Sequence, residues 1–294
     1  MTVCIAAICN DNLGRWPMII MASDRKYTVG DHWTYEPAQT KHLTVNTHAT
    51  LLFAGSASAL EGVWQEATRG RLLGEERDIE VLADEIATAF ARYRFKEAER
   101  HVLGSLGMTA KDLLTDPAIP ETTSARLRSE MQRWTLDAAL ILAGVNDVGL
   151  CSLYSIENPG FASPQTSTGF VAVGSGADHA SALFMRQGYH RGWSPERTIL
   201  LAYTAKKHAE IDPYVGAETD VYLIGPAENP YSPLRTELYE MLRDLYDESL
   251  DQEARNTGDT YEKFEQRVGD FLASQHPQEP DQQEGIQLPP AVEP

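Results

Sequence analysis

The sequence predicts an α+β fold: a four-layer αββα sandwich with an inserted segment and a C-terminal helical extension. Three observations predict it. Short runs apolar on both faces and rich in β-branched residues recur along the chain, as strands buried on two sides should. Neighbouring runs are joined by turn chemistry too short for a crossover, so they read as antiparallel hairpins. Helical periodicity comes in blocks of two between the strand groups. Strands, two helices, strands, two helices and a strand suit helices packed outside antiparallel sheets and do not suit a βαβ repeat.

In chain order, Val3–Cys9 and Met18–Ser23 are the first two strands, separated by Asn10-Asp11-Asn12-Leu13-Gly14. Ala49–Gly55 is the third. Ser56–Leu72 and Asp78–Leu103 carry apolar residues at helical spacing, with Ile79, Leu82, Ala83, Ile86 and Phe90 on one face. Gly104–Arg133, containing Asp116-Pro117 and Ile119-Pro120, reads as an inserted loop followed by a short amphipathic helix. Ala138–Val145 and Gly149–Glu157 flank Asn146-Asp147, and Gly169–Gly174 follows. Asp178–Gln187 and Pro195–Ile211 are the next helices, the second started by Ser194-Pro195, an N-cap followed by proline at the first helical position. Thr219–Gly225 is the last strand. Leu234–Ala273 reads as one or two charged helices, broken near Asn256-Thr257-Gly258. The expected organisation is a domain over 1–229 with its insertion at about 104–133, a charged helical extension over 230–273, and an acidic, Pro- and Gln-rich disordered tail over 274–294.

Charge and cysteine usage narrow the function. The formal net charge of −18 argues against nucleic acid and anionic membranes as partners, since both would repel the chain. Much of that charge is in the extension, where Arg235–Ala273 holds 11 acidic and 5 basic side chains. Cys4, Cys9 and Cys151 lie in apolar runs with no CxxC spacing, which suggests buried reduced thiols and a cytoplasmic protein. Met1–Cys9 has no basic residue, so no secretory signal is expected. No apolar run approaches the roughly 20 residues that span a bilayer. No metal or cofactor is expected: the sequence lacks GxxxxGK[ST] and HExxH, Gly174-Ser175-Gly176 lacks the third glycine of a dinucleotide loop, and His42 and His48 are poorly spaced for a metal pair.

Five features combine. Thr2 stands directly behind Met1 at the start of a core strand. Asp24 closes the second strand, and Lys41 precedes the third. Gly174-Ser175-Gly176 opens one helix, and Asp212 ends another in Asp212-Pro213-Tyr214-Val215-Gly216. The joint pattern resembles the proteasome β-subunit family of N-terminal-nucleophile (Ntn) hydrolases. That family opens with Thr, has an Asp-Ser-Arg-x-Thr-x-Gly stretch after its second strand, and follows its Lys fourteen residues later with the glycine of a helix start. Here Asp24, Thr28 and Gly30 keep the stretch, and Gly55 lies fourteen residues beyond Lys41. Arg186-x-Gly188-Tyr189 tracks the family's Asp-Arg-Gly-Tyr. The resemblance covers Thr2 to about Gly225 and is nearest to the bacterial Anbu-like branch, whose members begin Met-Thr.

The resemblance implies a threonine-type peptidase acting on peptides or unfolded protein, in a homo-oligomeric ring or spiral. It does not say whether an unfoldase feeds it. Removal of Met1 would uncover Thr2 as nucleophile, with its own α-amine, of intrinsic pKa about 7.7–8.0, as base. Lys41 would favour the neutral amine, Asp24 would hold Lys41, and the Gly55 amide would serve the oxyanion. Ser175 and Asp212 would orient the terminus. By family position Tyr27, Leu43, Phe53, Ala57 and Glu61 would line the first substrate pocket, Phe53 as its floor, and Thr28–Gly30 would pair with the substrate backbone. Neither Thr2 nor Lys41 is expected to pack in the core. One departure stands out: the family's Asp-x-x-Ser-Gly has Val215 in place of its serine. The alternatives are a catalytically silent assembly subunit and an amidohydrolase acting on small amides.

Overall fold

The structure is a computed structural model that describes residues 2–10, 17–29, 33–35, 40–69, 78–146, 148–225 and 231–275. The chain divides into two units, Met1–Leu242 and Arg243–Pro294.

The first unit is a mixed α/β fold with two five-stranded antiparallel sheets. One sheet runs β10 (Phe170–Val173), β1 (Cys4–Asn10), β2 (Pro17–Asp24), β11 (Thr219–Ile224), β12 (Tyr231–Pro233). The other runs β5 (His42–Thr44), β6 (Ala49–Gly55), β7 (Ala138–Val145), β8 (Cys151–Glu157), β9 (Phe161–Pro164). A two-stranded ribbon joins β3 (Tyr27–Val29) to β4 (Trp33–Tyr35). Both expected hairpins form, β1 with β2 and β7 with β8.

Register decides which side chains meet. Pairing Ala6 with Met21 and Ile8 with Ile19 puts these four and Cys4 on one face of the first sheet. They share a core with Leu52, Ala54, Ile141, Ala143 and Leu153 of the second sheet. The other face of the second sheet buries Leu51, Phe53, Leu140 and Leu142 against α1 (Ala57–Thr68) and α2 (Ile79–Val102), through Ala59, Val63, Leu82, Ala83, Ile86 and Phe90. On the first sheet, α5 (Ala177–Arg186) lies against β10 and β1, and α6 (Pro195–Ala209) against β1, β2 and β11. Both faces of β1 and β6 are therefore covered, which is why their sequences read as unbroken apolar runs.

Local signals set the helix ends. The Asp78 side chain accepts the Glu80 and Val81 N–H groups at the start of α2, and the Ser194 Oγ accepts the Arg197 N–H at the start of α6. The 104–133 insertion holds more structure than a loop and one helix. A 3-10 turn at Gly104–Leu106, α3 (Asp112–Thr115) and α4 (Glu121–Arg133) close a small core of Ala98, Leu103, Leu113, Leu127 and Met131.

The extension corrects the expected break. Thr236–Gln275 is one 40-residue helix, α7, that passes through Asn256-Thr257-Gly258 and includes Ser274 and Gln275. A single glycine costs a helix only about 1 kcal/mol. Here Asn256 is also tied in by Gln252 Nε2 to its Oδ1 at 2.9 Å and by Thr260 Oγ1 to its carbonyl at 2.7 Å. The start of α7 belongs to the first unit: Leu242 is buried, and the Tyr239 hydroxyl accepts the Val221 N–H at 2.6 Å. In the second unit Leu245, Leu250, Tyr261 and Phe264 are exposed. The rest of the expected tail, 276–294, lies outside the described residues.

Candidate active site

Thr2 extends β1 by two residues, and the β1–β2 ladder carries on to meet it. The Asp24 N–H donates to the Val3 carbonyl at 3.3 Å. The Asp24 side chain turns back to accept the Val3 N–H on Oδ1 at 2.9 Å and the Thr2 hydroxyl on the same oxygen. Lys41 arrives from the other sheet, where its carbonyl accepts the Phe53 N–H at 3.1 Å just ahead of β5. Its Nζ lies 3.0 and 3.1 Å from the two Asp24 oxygens and also donates to Thr2 Oγ1. Asp24 Oδ2 accepts two more backbone donors, the N–H groups of Lys26 and Gly216, each at 3.0 Å.

This set lies in the interior. Thr2 is 1% exposed, Asp24 0% and Lys41 3%. The expectation that Thr2 and Lys41 stay clear of the packed interior is therefore corrected. A carboxylate so deeply placed requires a cation and several hydrogen bonds; Asp24 has Lys41, one hydroxyl and three amides.

Two glycine turns shape the surroundings. Gly55 has φ +117°, and a Cβ there would lie 2.3 Å from the Asp137 carbonyl oxygen. The Ser56 N–H is already given to that carbonyl at 2.9 Å. Strand alternation turns the Gly55 N–H to the edge that the Phe53 N–H faces, the edge that carries Lys41. Gly174 has φ +99°, and a Cβ there would lie 2.2 Å from the Thr2 carbonyl oxygen. That oxygen accepts the Gly176 N–H at 3.3 Å. Between these glycines the Ser175 Oγ is buried with no hydrogen-bond partner among the described residues.

Asp212 is placed differently. Its Oδ1 accepts the Tyr214 N–H at 2.9 Å and its carbonyl accepts the Val215 N–H at 3.0 Å, so it shapes its own turn. No hydrogen bond joins it to Thr2 or Ser175 among the described residues. Val215 is buried, with its Cγ2 2.8 Å from where a Gly176 Cβ would sit, so methyl packing occupies the family serine's place.

Of the expected pocket residues, half-buried Leu43 packs at the edge of the core that holds Phe53. Phe53 is itself a core side chain, buried under the helices as closely as Leu51. Ala57 and Glu61 are exposed one turn apart on α1, and Glu61 accepts Gln65 Nε2 at 3.1 Å. Tyr27 and Thr28 pair with Tyr35 and Thr34 in the ribbon, while Gly30 and Met1 lie outside the described residues.

Several neighbours of the site carry no distinguishing signal in the sequence. Arg25 forks onto the buried Asp220, with Nε 2.9 Å from Oδ2, and this bond raises the Arg25 pKa. Lys26 Nζ donates to the Pro213 carbonyl at 2.6 Å. The Cys4 thiol donates to the Phe53 carbonyl at 3.1 Å, and burial pushes its pKa up to about 12 against the nearby Lys41 charge. Lys206, from the last turn of α6, is wholly buried with Nζ 2.6 Å from Glu210 Oε1, 2.7 Å from the Gly216 carbonyl and 2.8 Å from the Ala217 carbonyl. In sequence, Lys206 and Glu210 look like an ordinary i,i+4 surface pair.

No family model and no curated protein matches the sequence. Among solved structures, a variant of Anbu from Hyphomicrobium sp. strain MC1 aligns with a TM-score of 0.59 at 13% identity, covering 87% of this chain and 97% of that one. The fold is that of Anbu. The structural neighbour thus falls in the Anbu-like branch that the motif spacing resembles, and the likeness is one of backbone. Among the described residues no group of three His, Cys, Asp or Glu side chains is arranged to hold a metal ion, and no helix is long and apolar enough to cross a membrane.

Proposed function

We propose that the chain is a threonine-type peptidase of the Ntn-hydrolase class, with Thr2 as its nucleophile once Met1 is removed. The observation that carries this reading is the Thr2 hydroxyl hydrogen-bonded to both Asp24 and Lys41 inside the protein. A structural threonine at a strand end has no need of a buried ion pair on its hydroxyl.

With Met1 removed, the residues of the site supply each part of the chemistry. The Thr2 α-amine takes the proton of Oγ1 as Oγ1 attacks the substrate carbonyl carbon. The Lys41 ammonium, donating to Oγ1, stabilises the charge that develops there. The Gly55 N–H receives the oxyanion, a contribution of roughly 3–4 kcal/mol in comparable sites. The ammonium formed at Thr2 then protonates the leaving amine as the C–N bond breaks, giving an ester on Oγ1. Water, deprotonated by the same amine, cleaves the ester and restores the hydroxyl. The turn at Gly174–Gly176 seats the Thr2 carbonyl, and the Ser175 hydroxyl, which has no hydrogen-bond partner among the described residues, suits an orienting bond to the freed amine.

The same reading takes the helices and facing sheets as the αββα sandwich of that class. It places the enzyme in the cytoplasm, which suits three buried free cysteines. It also makes the working form a homo-oligomer, and a monomer mass by light scattering at micromolar concentration would contradict that part.

Turnover of fluorogenic peptides tests the proposal. Protein whose N-terminal mass shows Thr2 exposed should cleave them, Thr2→Ser should retain some activity, and Thr2→Ala should have none. Cleavage of simple amides but not peptides would favour the amidohydrolase. Inertness toward both would favour the assembly subunit.

A further inference from the structure

We propose that Lys206 is a positioning residue for this site: its ammonium clamps the Gly216–Ala217 backbone so that the Gly216 N–H stays on Asp24 Oδ2. The claim rests on the peptidase reading for its catalytic consequence, but the clamp itself is visible in the geometry.

Lys206 leaves α6 and enters the interior beneath the 212–217 turn. Its three partners, Glu210 Oε1 and the carbonyls of Gly216 and Ala217, are all acceptors at 2.6–2.8 Å. An ammonium has three N–H bonds to give them, whereas a neutral amine has two and would leave one acceptor unpaired. Gly216 is held from both sides: its carbonyl by Lys206 Nζ, and its N–H by the Asp24 carboxylate at 3.0 Å. One residue of backbone therefore separates a second buried cation from the carboxylate that holds Lys41 and Thr2.

The turn needs such a hold. The Asp212 carboxylate is engaged with Tyr214 and Val215 offers only packing, so neither ties the turn to Asp24. Lys26 Nζ on the Pro213 carbonyl anchors its exposed side. If the turn loosened, Asp24 Oδ2 would lose a donor and the Lys41–Thr2 geometry would relax with it. Misplacement by about 1 Å can cost about 100-fold in rate.

The charged groups acting on Lys206 are Lys207 on its own helix, Glu210 at that helix's C-cap and Asp24 on β2. Burial draws its pKa below the ordinary lysine value, while the Glu210 hydrogen bond and charge oppose that fall. Replacing Glu210 by glutamine keeps an acceptor but removes the charge that opposes the fall, so the ammonium is lost, and the turn released, at a lower pH.

The test compares wild type, Lys206→Met and Glu210→Gln by hydrogen exchange over 212–221 and by kcat and KM for a fluorogenic peptide across the alkaline range. We expect Lys206→Met to speed exchange at Gly216, corrected for intrinsic rates, with the β1–β2 ladder unchanged. It should lower kcat by about tenfold or more with KM little altered. Glu210→Gln should move both the alkaline fall in kcat and the onset of fast exchange to lower pH. That shift is one that a merely structural lysine would not produce. If Lys206→Met fails to fold, Glu210→Gln carries the test alone. Unchanged exchange at Gly216 in the folded variants would overturn the clamp. Faster exchange with unaltered kcat and pH profile would overturn the positioning role. An inert wild type with the expected exchange differences would instead sink the peptidase reading and leave the clamp standing.

Discussion

Replacing Lys41 by methionine should destabilise the protein far more than a typical lysine substitution. The two side chains of the Lys41–Asp24 pair are 2% and 0% exposed at 3.0 Å, so the variant leaves a carboxylate in the interior without its cation. Removing one partner of a buried pair costs about 3–5 kcal/mol. Methionine fills most of the lysine volume, so a cavity adds little. Asp24 keeps the Thr2 hydroxyl and the amides of Val3, Lys26 and Gly216, which places the expected loss in the lower half of that range. Lys96 is the internal control: it is 50% exposed and 3.7 Å from Glu66, and its methionine variant should cost less than about 1 kcal/mol. Urea unfolding followed by tryptophan fluorescence measures both. With a slope of about 3 kcal/mol/M, Lys41→Met should lower the midpoint by about 1 M and Lys96→Met by a few tenths. Equal midpoints for the two variants would refute the reasoning, because Asp24 would then have no need of its buried cation.

Two further outcomes follow from local geometry. Gly174→Ala puts a Cβ 2.2 Å from the Thr2 carbonyl oxygen at φ +99°, so it should cost at least about 2 kcal/mol and displace Thr2. An unchanged melting temperature together with normal peptide turnover would contradict that. The thiols of Cys4, Cys9 and Cys151 are each pushed up to about 12 by burial, from an ordinary value of 9.0. The folded chain therefore holds protons that the unfolded chain releases above about pH 9. Their contribution to stability should be full below that pH and decline as pH rises toward 12, seen as a falling melting temperature, and a flat profile over that window would refute it.

Much of the fold was legible in the sequence because its central strands are covered on both sides. β6 and β7 match the expected Ala49–Gly55 and Ala138–Val145, and β1, β2 and β11 differ by a residue or so at their ends. The strands that escaped, β3, β4, β5, β9 and β12, have only three or four residues, which gives an alternating pattern little room to stand out. The expected break in α7 is absent because side-chain bonds to Asn256 carry the helix past the turn-like residues 256–258. Within the site, Thr2, Asp24 and Lys41 were legible through strand ends and spacing, and the structure brings all three together. The bond from the Tyr214 amide to Asp212 was not legible, because residue spacing alone does not say which nearby amide a turn carboxylate accepts. Lys206 was invisible because a lysine facing a glutamate at i,i+4 reads as solvent-exposed, and the Gly216 and Ala217 carbonyls that accept from it lie beyond the helix.

The central claim is that the free amine of Thr2 is the base for its own hydroxyl. The most direct test is peptide turnover by two preparations of the same chain. In one, mass spectrometry shows Thr2 at the N-terminus; in the other, an uncleaved residue is retained ahead of it. The account predicts turnover from the first and none from the second. Equal turnover from both would contradict it.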